Sequence, residues 1–263
     1  ILLSLILNKK IIITPMGIFE KWSLDQKKIK KIFALNIYQK FLLNKANIIH
    51  VTSALEKENL RQITNNQNIK LIPHGLGSLN LKPKKFFQGA KKKAIFFSRL
   101  HDKKGIIELV EAWLNISNNE WELHIFGPDN DQNKQKIINK INNDKSIFIF
   151  EPIFNEKKNI FIEYDLFILP SKSENFGYAI LESMQLGLPV LTTNKTPWYF
   201  LEKQNAGWIT DASLTELEDK LKKIFSTKKE EFEKKSDNAI NLAKGYYWEN
   251  LKHKYFSLYE EIN

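Results

Sequence analysis

The chain of 263 residues has no cysteine, which excludes disulfides, thiolate metal sites and a cysteine nucleophile. Arginine is almost as scarce: Arg61 and Arg99 stand alone among 40 basic residues. Where lysine is the default cation, an arginine marks a position that wants a planar, bidentate fork. No run reaches the roughly 18 apolar residues that a membrane-crossing helix needs. The opening ILLSLIL has neither a basic start nor a small-residue cleavage site, so it does not read as a signal peptide. There is no initiator methionine, and Ile1 reads as a point inside a longer chain. His50, His101, His124 and His253 show no metal-ligand spacing, and no Ser-His-Asp order or nucleophile elbow occurs.

What is present describes a globular protein. Apolar residues make up 43%, and the length suffices for one large or two modest domains. The formal net charge is +10, carried almost wholly by lysine in a chain also crowded with isoleucine and asparagine. That bias reads as compositional habit, so nucleic acid is not expected as a partner. Peripheral contact with an acidic lipid surface stays open. The absence of cysteine is compatible with a reducing cytoplasm.

The order of elements predicts an α/β fold. Residues 1–79 read as the back part of one domain: a strand at 10–13, the loop TPMGIFEKWSL, a helix at 27–45 and strands at 48–52 and 69–72. The helix should bury Ile29, Ile32, Phe33, Ile37, Phe41 and Leu42 on one side. Ser53 followed by Glu56 is a capping box, and His74 in PHGLG a hinge-turn residue. Residues 80–92, with their proline, glycine and lysines, mark a linker. Over 93–247 strands and helices alternate as in a doubly wound parallel sheet. A final helix occupies 248–263.

Residues 167–193, FILPSKSENFGYAILESMQLGLPVLTT, form a strand–loop–helix–strand unit. Their loop falls at the carboxyl end of a strand, where open α/β sheets bind ligands. Glu174 lies in that loop and Glu182 in the helix, while the N–H groups around Asn175, Phe176, Gly177 and Tyr178 are the free donors of a helix start. Taken alone, the two glutamates are as readily solvated surface residues.

The whole string resembles the E-x7-E signature of retaining glycosyltransferases of family 4, with Glu174, Phe176, Gly177, Glu182, Gly187 and Pro189 in register. FFSRLHDKKG resembles that family's G-R-L-x-x-x-K-G, with Arg99 and Lys104 matching and Ser98 replacing the leading glycine. An ion pair of Arg99 with Asp102 or Glu108 is the competing reading. TPMGIFEKWSL resembles a loop of bacterial polysaccharide glycosyltransferases, S-P-H-G-M-hydrophobic-E-P-W, through Pro15, Gly17, Glu20 and Trp22. Met16 stands where that pattern has histidine, and it can neither donate a strong hydrogen bond nor carry charge.

The resemblance implies a GT-B architecture of two Rossmann-like domains, the second complete and the first partial. A further strand–helix set and the first glycine-rich loop would then precede residue 1, and the helix at 248–263 would pack back on the first domain. It implies a nucleoside-diphosphate sugar as donor, bound by Arg99, Lys104, Glu174, Asn175, Phe176, Gly177, Tyr178 and Glu182. Arg99, Lys104 and Glu174 would serve the chemistry, with Met16 and Gly17 on the acceptor side. Gly127 and the segment Pro152–Ile153 fall where the family's glycine turn and base-contacting backbone lie. The acceptor would be a glycan or lipid-linked sugar of polysaccharide or cell-envelope synthesis, the setting cytoplasmic, with peripheral contact at the inner membrane face left open. No cofactor and no metal are expected, Asp129-Asn130-Asp131 reading as loop polarity. Two alternatives stand beside this: a nucleotide-sugar-binding module without turnover, and another GT-B enzyme such as an epimerase.

Overall fold

The computed structural model describes residues 2–26, 31, 33–79, 84–116, 118–129, 132–152 and 157–262. The chain forms two compact units. The first comprises Ile1–Ser78, Glu174–Phe176 and Tyr246–Asn263; the second comprises Leu79–Ser173 and Gly177–Gly245. The three-residue tip Glu174–Phe176, inside the range expected for the donor domain, thus keeps company with the first unit.

The first unit is built on a parallel sheet of β1 (Ile12–Ile13), β2 (Ile48–Val51) and β3 (Ile69–Leu71), in that order. All four β2 residues are buried, as a central parallel strand covered on both faces requires. One face packs against Leu43 and Leu60. On the other, Ile48 and Ile72 pack with Leu258 of the final helix, Trp248–Glu260. That helix is also held by the Tyr255 hydroxyl, which donates to the Pro73 carbonyl at 3.2 Å, and by a Lys70–Glu261 ion pair at 2.9 Å.

The expected helix at 27–45 differs from expectation. Ile29 and Ile32 lie outside the described residues. Further on, Leu35–Gln39 is a π-turn that runs into a short α-helix, Lys40–Lys45. Phe33, Ile37 and Phe41 are exposed, and Leu43, not Leu42, is the buried leucine. A π-turn inserts one residue into the helical repeat, so every later side chain rotates to a neighbouring face.

The second unit is a six-stranded parallel sheet. Its strands are β4 (Lys92–Phe97), β5 (Trp121–Phe126), β6 (Ile147–Phe150), β7 (Leu166–Leu169), β8 (Val190–Thr193) and β9 (Gly207–Thr210), in the order β6-β5-β4-β7-β8-β9. β7 and β8 are buried throughout, and Ile180, Leu181 and Met184 of the helix Tyr178–Gln185 complete that side of the core. Trp113, Trp121 and Phe225 cluster where the helices Ile106–Ile116 and Leu214–Phe225 meet the sheet, with ring centroids 5.1 Å apart for both Trp–Phe pairs. The strand order reverses between β4 and β7. Open α/β sheets bind their ligands at the carboxyl ends of the strands beside such a reversal. Among the described residues no helix is long and apolar enough to cross a membrane.

Candidate functional site

The loops leaving β4 and β7 carry most of the sequence-predicted residues, and the structure brings these loops together. Ser98 N–H donates to the Phe126 carbonyl at 3.1 Å and Leu100 N–H to the Pro128 carbonyl at 3.0 Å, extending the β4–β5 pairing into the loop. Gly127 is explained by this close approach, since a Cβ there would stand 1.7 Å from the Ser98 carbonyl oxygen.

Arg99 is exposed at the head of this loop, and among the described residues its guanidinium makes no hydrogen bond or ion pair. Glu108, a partner considered for it, instead pairs with Lys172 at 2.5 Å. Lys104 closes the 3-10 turn Asp102–Lys104, whose start is capped by His101 Nδ1 accepting the Lys103 N–H at 2.9 Å. The neighbouring Asp129 does more than make its loop polar: its carboxylate accepts the N–H groups of Asn133 and Lys134 at 2.8 and 3.0 Å, capping the helix Asn133–Ile141. Asn130, Asp131 and Ile153 lie outside the described residues.

Past β7, Gly177 takes a left-handed conformation, φ +80°, at the start of the helix Tyr178–Gln185. It has no side chain to cap the first-turn N–H groups, and a Cβ would sit 3.1 Å from the Trp198 indole nitrogen. Trp198 is buried and was not singled out in the sequence, where nothing distinguishes it from a core residue. Tyr178 and Glu182 stand one turn apart on the same helix face. Burial, and then the charge of Glu182, push the Tyr178 phenol above its ordinary range.

Residues of the first unit form a second group. Glu174 and Phe176 are buried, and the Phe176 ring meets His74 edge-on at 5.2 Å. Burial, with the neighbouring His50, lowers the His74 imidazole below its ordinary value. Asn175 Nδ2 donates to the Thr52 hydroxyl at 3.2 Å, while its Oδ1 is buried with no donor among the described residues. Met16 is exposed at φ +54°. Gly17, at φ +79°, is packed so closely that a Cβ would lie 2.8 Å from the Asn175 Cβ.

Residues 78–244 match the family described as glycosyl transferases group 1. The chain belongs to that family. This group 1 glycosyltransferase is 29% identical over 99 residues to the O-antigen biosynthesis glycosyltransferase WclY of Escherichia coli, a match covering 37% of this chain and 27% of the relative. The matched part is thus about a quarter of that relative's length. Among solved structures, Anabaena HepE in complex with UDP-glucose superposes with a TM-score of 0.81 at 18% identity, covering 99% of this chain and 74% of that one. The sucrose-phosphate synthase of Thermosynechococcus elongatus gives 0.80 at 18% identity, covering 96% and 68%. These structural likenesses are of fold, and that fold is the α/β GT-B class that the sequence motifs imply.

Glu56 and Thr52 of this glycosyltransferase are buried polar residues beside Gly17 and Asn175 that carry no functional motif in the sequence. The S-x-x-E pattern at Ser53 is half fulfilled. Ser53 Oγ accepts the Glu56 N–H at 3.1 Å, but the Glu56 carboxylate does not return to Ser53. It accepts from Thr52 and Gly17 instead.

Proposed function

We propose that this chain transfers a sugar, with retention, from a nucleoside-diphosphate sugar to a glycan or lipid-linked acceptor. The observation that carries the reading is the exposed guanidinium of Arg99 at the strand-order reversal, uncommitted among the described residues. It sits in a loop laced to the one that leads to an uncapped helix start at Gly177. An arginine fork and the N–H groups of a helix start are suited to a diphosphate. HepE, of like fold, was solved with UDP-glucose, and WclY is described as acting in O-antigen synthesis.

In this reading Arg99, Lys104 and the helix start stabilise the departing diphosphate as its charge develops. Glu182 takes the ribose hydroxyls and Glu174 orients the transferred sugar, in keeping with the E-x7-E pattern of family 4. Asn175, Phe176 and Tyr178 complete the donor contacts, and Met16 and Gly17 lie on the acceptor side. No cofactor or metal is assigned a part. A cytoplasmic, membrane-peripheral setting suits the first 50 residues, where nine lysines face only Glu20 and Asp25. Met16, in place of histidine, favours a second reading: a donor-binding module with impaired turnover.

Calorimetric titration with UDP, GDP and ADP tests the donor assignment. Saturable binding of one diphosphate, weakened in Arg99→Ala and Glu182→Ala, is the expected result. A folded chain that binds none of the three refutes it, and turnover assays then separate transferase from binding module.

A further inference from the structure

Glu56 is 3% exposed at the third position of the helix Ala54–Arg61. Its two oxygens serve different segments. Oε1 accepts the Gly17 N–H at 2.8 Å. Oε2 accepts the Thr52 N–H at 2.9 Å and the Thr52 hydroxyl at 3.1 Å. While its O–H donates to Glu56, the Thr52 hydroxyl oxygen accepts from Asn175 Nδ2 at 3.2 Å. A continuous chain of bonds therefore runs Gly17–Glu56–Thr52–Asn175, and a Cβ on Gly17 would lie 2.8 Å from the Asn175 Cβ.

Helix capping does not account for this arrangement, because Ser53 Oγ already supplies the cap. No cation takes part among the described residues, so the carboxylate is satisfied wholly by backbone and hydroxyl donors. A buried carboxylate held this way is oriented, since each lone pair has an assigned donor. Its partners are also specific. They are the glycine beside Met16, in the loop given to the acceptor, and the asparagine beside Glu174.

We propose that Glu56 is a positioning residue for glycosyl transfer. It sets the main chain at Gly17 and, through Thr52, the side chain of Asn175, so that the loop at 14–20 and the tip at 174–176 hold one register. The proposal rests on the transfer reading above. Positioning of this kind acts on turnover more than on diphosphate affinity, because sub-ångström to ångström displacements of reacting groups cost up to about 100-fold in rate.

Glu56→Gln preserves shape but replaces one acceptor by an NH2 that must face the N–H of Gly17 or of Thr52. Thr52→Val removes the relay to Asn175, and Thr52→Ser keeps it. The test combines hydrogen exchange by mass spectrometry, calorimetry with UDP, GDP and ADP, and release of diphosphate from UDP-, GDP- and ADP-glucose. In Glu56→Gln, peptides containing Gly17 and Asn175 should exchange faster, and kcat should fall roughly 10- to 100-fold while diphosphate Kd stays within about twofold. Thr52→Val should loosen the peptide containing Asn175 and lower kcat, and Thr52→Ser should restore both.

Unchanged exchange at Gly17 and Asn175 in Glu56→Gln overturns the proposal. So does Thr52→Ser behaving as Thr52→Val, or a fall in kcat matched by an equal loss of diphosphate affinity. Should Glu56→Gln fail to fold, the Thr52 pair decides. If the unsubstituted chain releases no diphosphate, the transfer reading fails separately, and the exchange measurements still decide whether Glu56 sets both segments.

Discussion

Gly105 and Pro170 meet where the loops leaving β4 and β7 run side by side: a Cβ on Gly105, whose φ is +69°, would stand 2.2 Å from the Pro170 carbonyl oxygen. Two residues after Pro170 and two before Gly105 the contact is repeated as a hydrogen bond, Lys172 N–H donating to the Lys103 carbonyl at 2.8 Å. The segments that carry Arg99 and Lys104 and that lead to Glu174 are therefore laced backbone to backbone. Gly105→Ala adds both left-handed strain and a backbone clash. It should cost about 2–4 kcal/mol of stability and weaken diphosphate binding, measured by urea denaturation and calorimetry.

Arg99→Ala should leave the melting temperature unchanged within about 1 °C, because the guanidinium has no partner among the described residues to lose. Diphosphate affinity should fall by about one to two orders of magnitude, the worth of charge-assisted hydrogen bonds. Arg99→Lys keeps the charge and loses the fork, and calorimetry should place it between the two. Equal affinity in all three proteins would remove Arg99 from the donor site.

A third expectation concerns pH. His124 on β5 is buried, with Nδ1 2.9 Å from the Tyr164 hydroxyl and Nε2 3.3 Å from Glu122. Burial lowers its imidazole below the ordinary value of 6.5, outweighing Glu122 and Glu163, which raise it; Lys93 adds to the lowering. Below about pH 6.5 the unfolded chain therefore binds a proton that the folded chain refuses, so stability falls as the pH drops toward the folded value. Urea midpoints between about pH 7.5 and 5.5 should decline less in His124→Phe than in the unsubstituted chain. Equal slopes would assign the acid sensitivity elsewhere.

Tyr164 contributes at the other end of the scale. Burial first, then Glu163 and Glu122, raise its phenol well above 10. The unfolded chain loses that proton first as pH rises past 10, so stability drops again in alkali. Tyr164→Phe should flatten that alkaline decline in the same denaturation series.

The parts of the fold legible in sequence were those in which one local signal suffices. β7 ends at Pro170, the helix after it ends before Gly187, and β8 begins after Pro189, and the structure keeps all three within a residue or two of the expected limits. The helix expected at 27–45 was less legible. Its apolar spacing is regular, but a π-turn at Leu35–Gln39 shifts the phase, and spacing alone does not reveal an i→i+5 turn. The S-x-x-E pattern at Ser53 marked the helix start correctly but not the use of its carboxylate, because Gly17 and Thr52 compete for the same oxygens.

By itself, the sequence determined the α/β alternation, the placing of Arg99, Lys104 and Glu174 in loops or turns and of Glu182 in a helix, and the broad glycosyltransferase family. These depend on short-range periodicity and on motifs read within one segment. Only tertiary structure decided that Glu108 belongs to Lys172, leaving Arg99 uncommitted among the described residues. It likewise decided that Gly127 and Gly105 are demanded by carbonyl oxygens of other segments, and that Asn175 reaches Thr52 across 123 positions. Hydrogen bonds and steric contacts act through distance in space, and parallel strands joined by long crossovers place distant residues side by side in ways that no local pattern encodes.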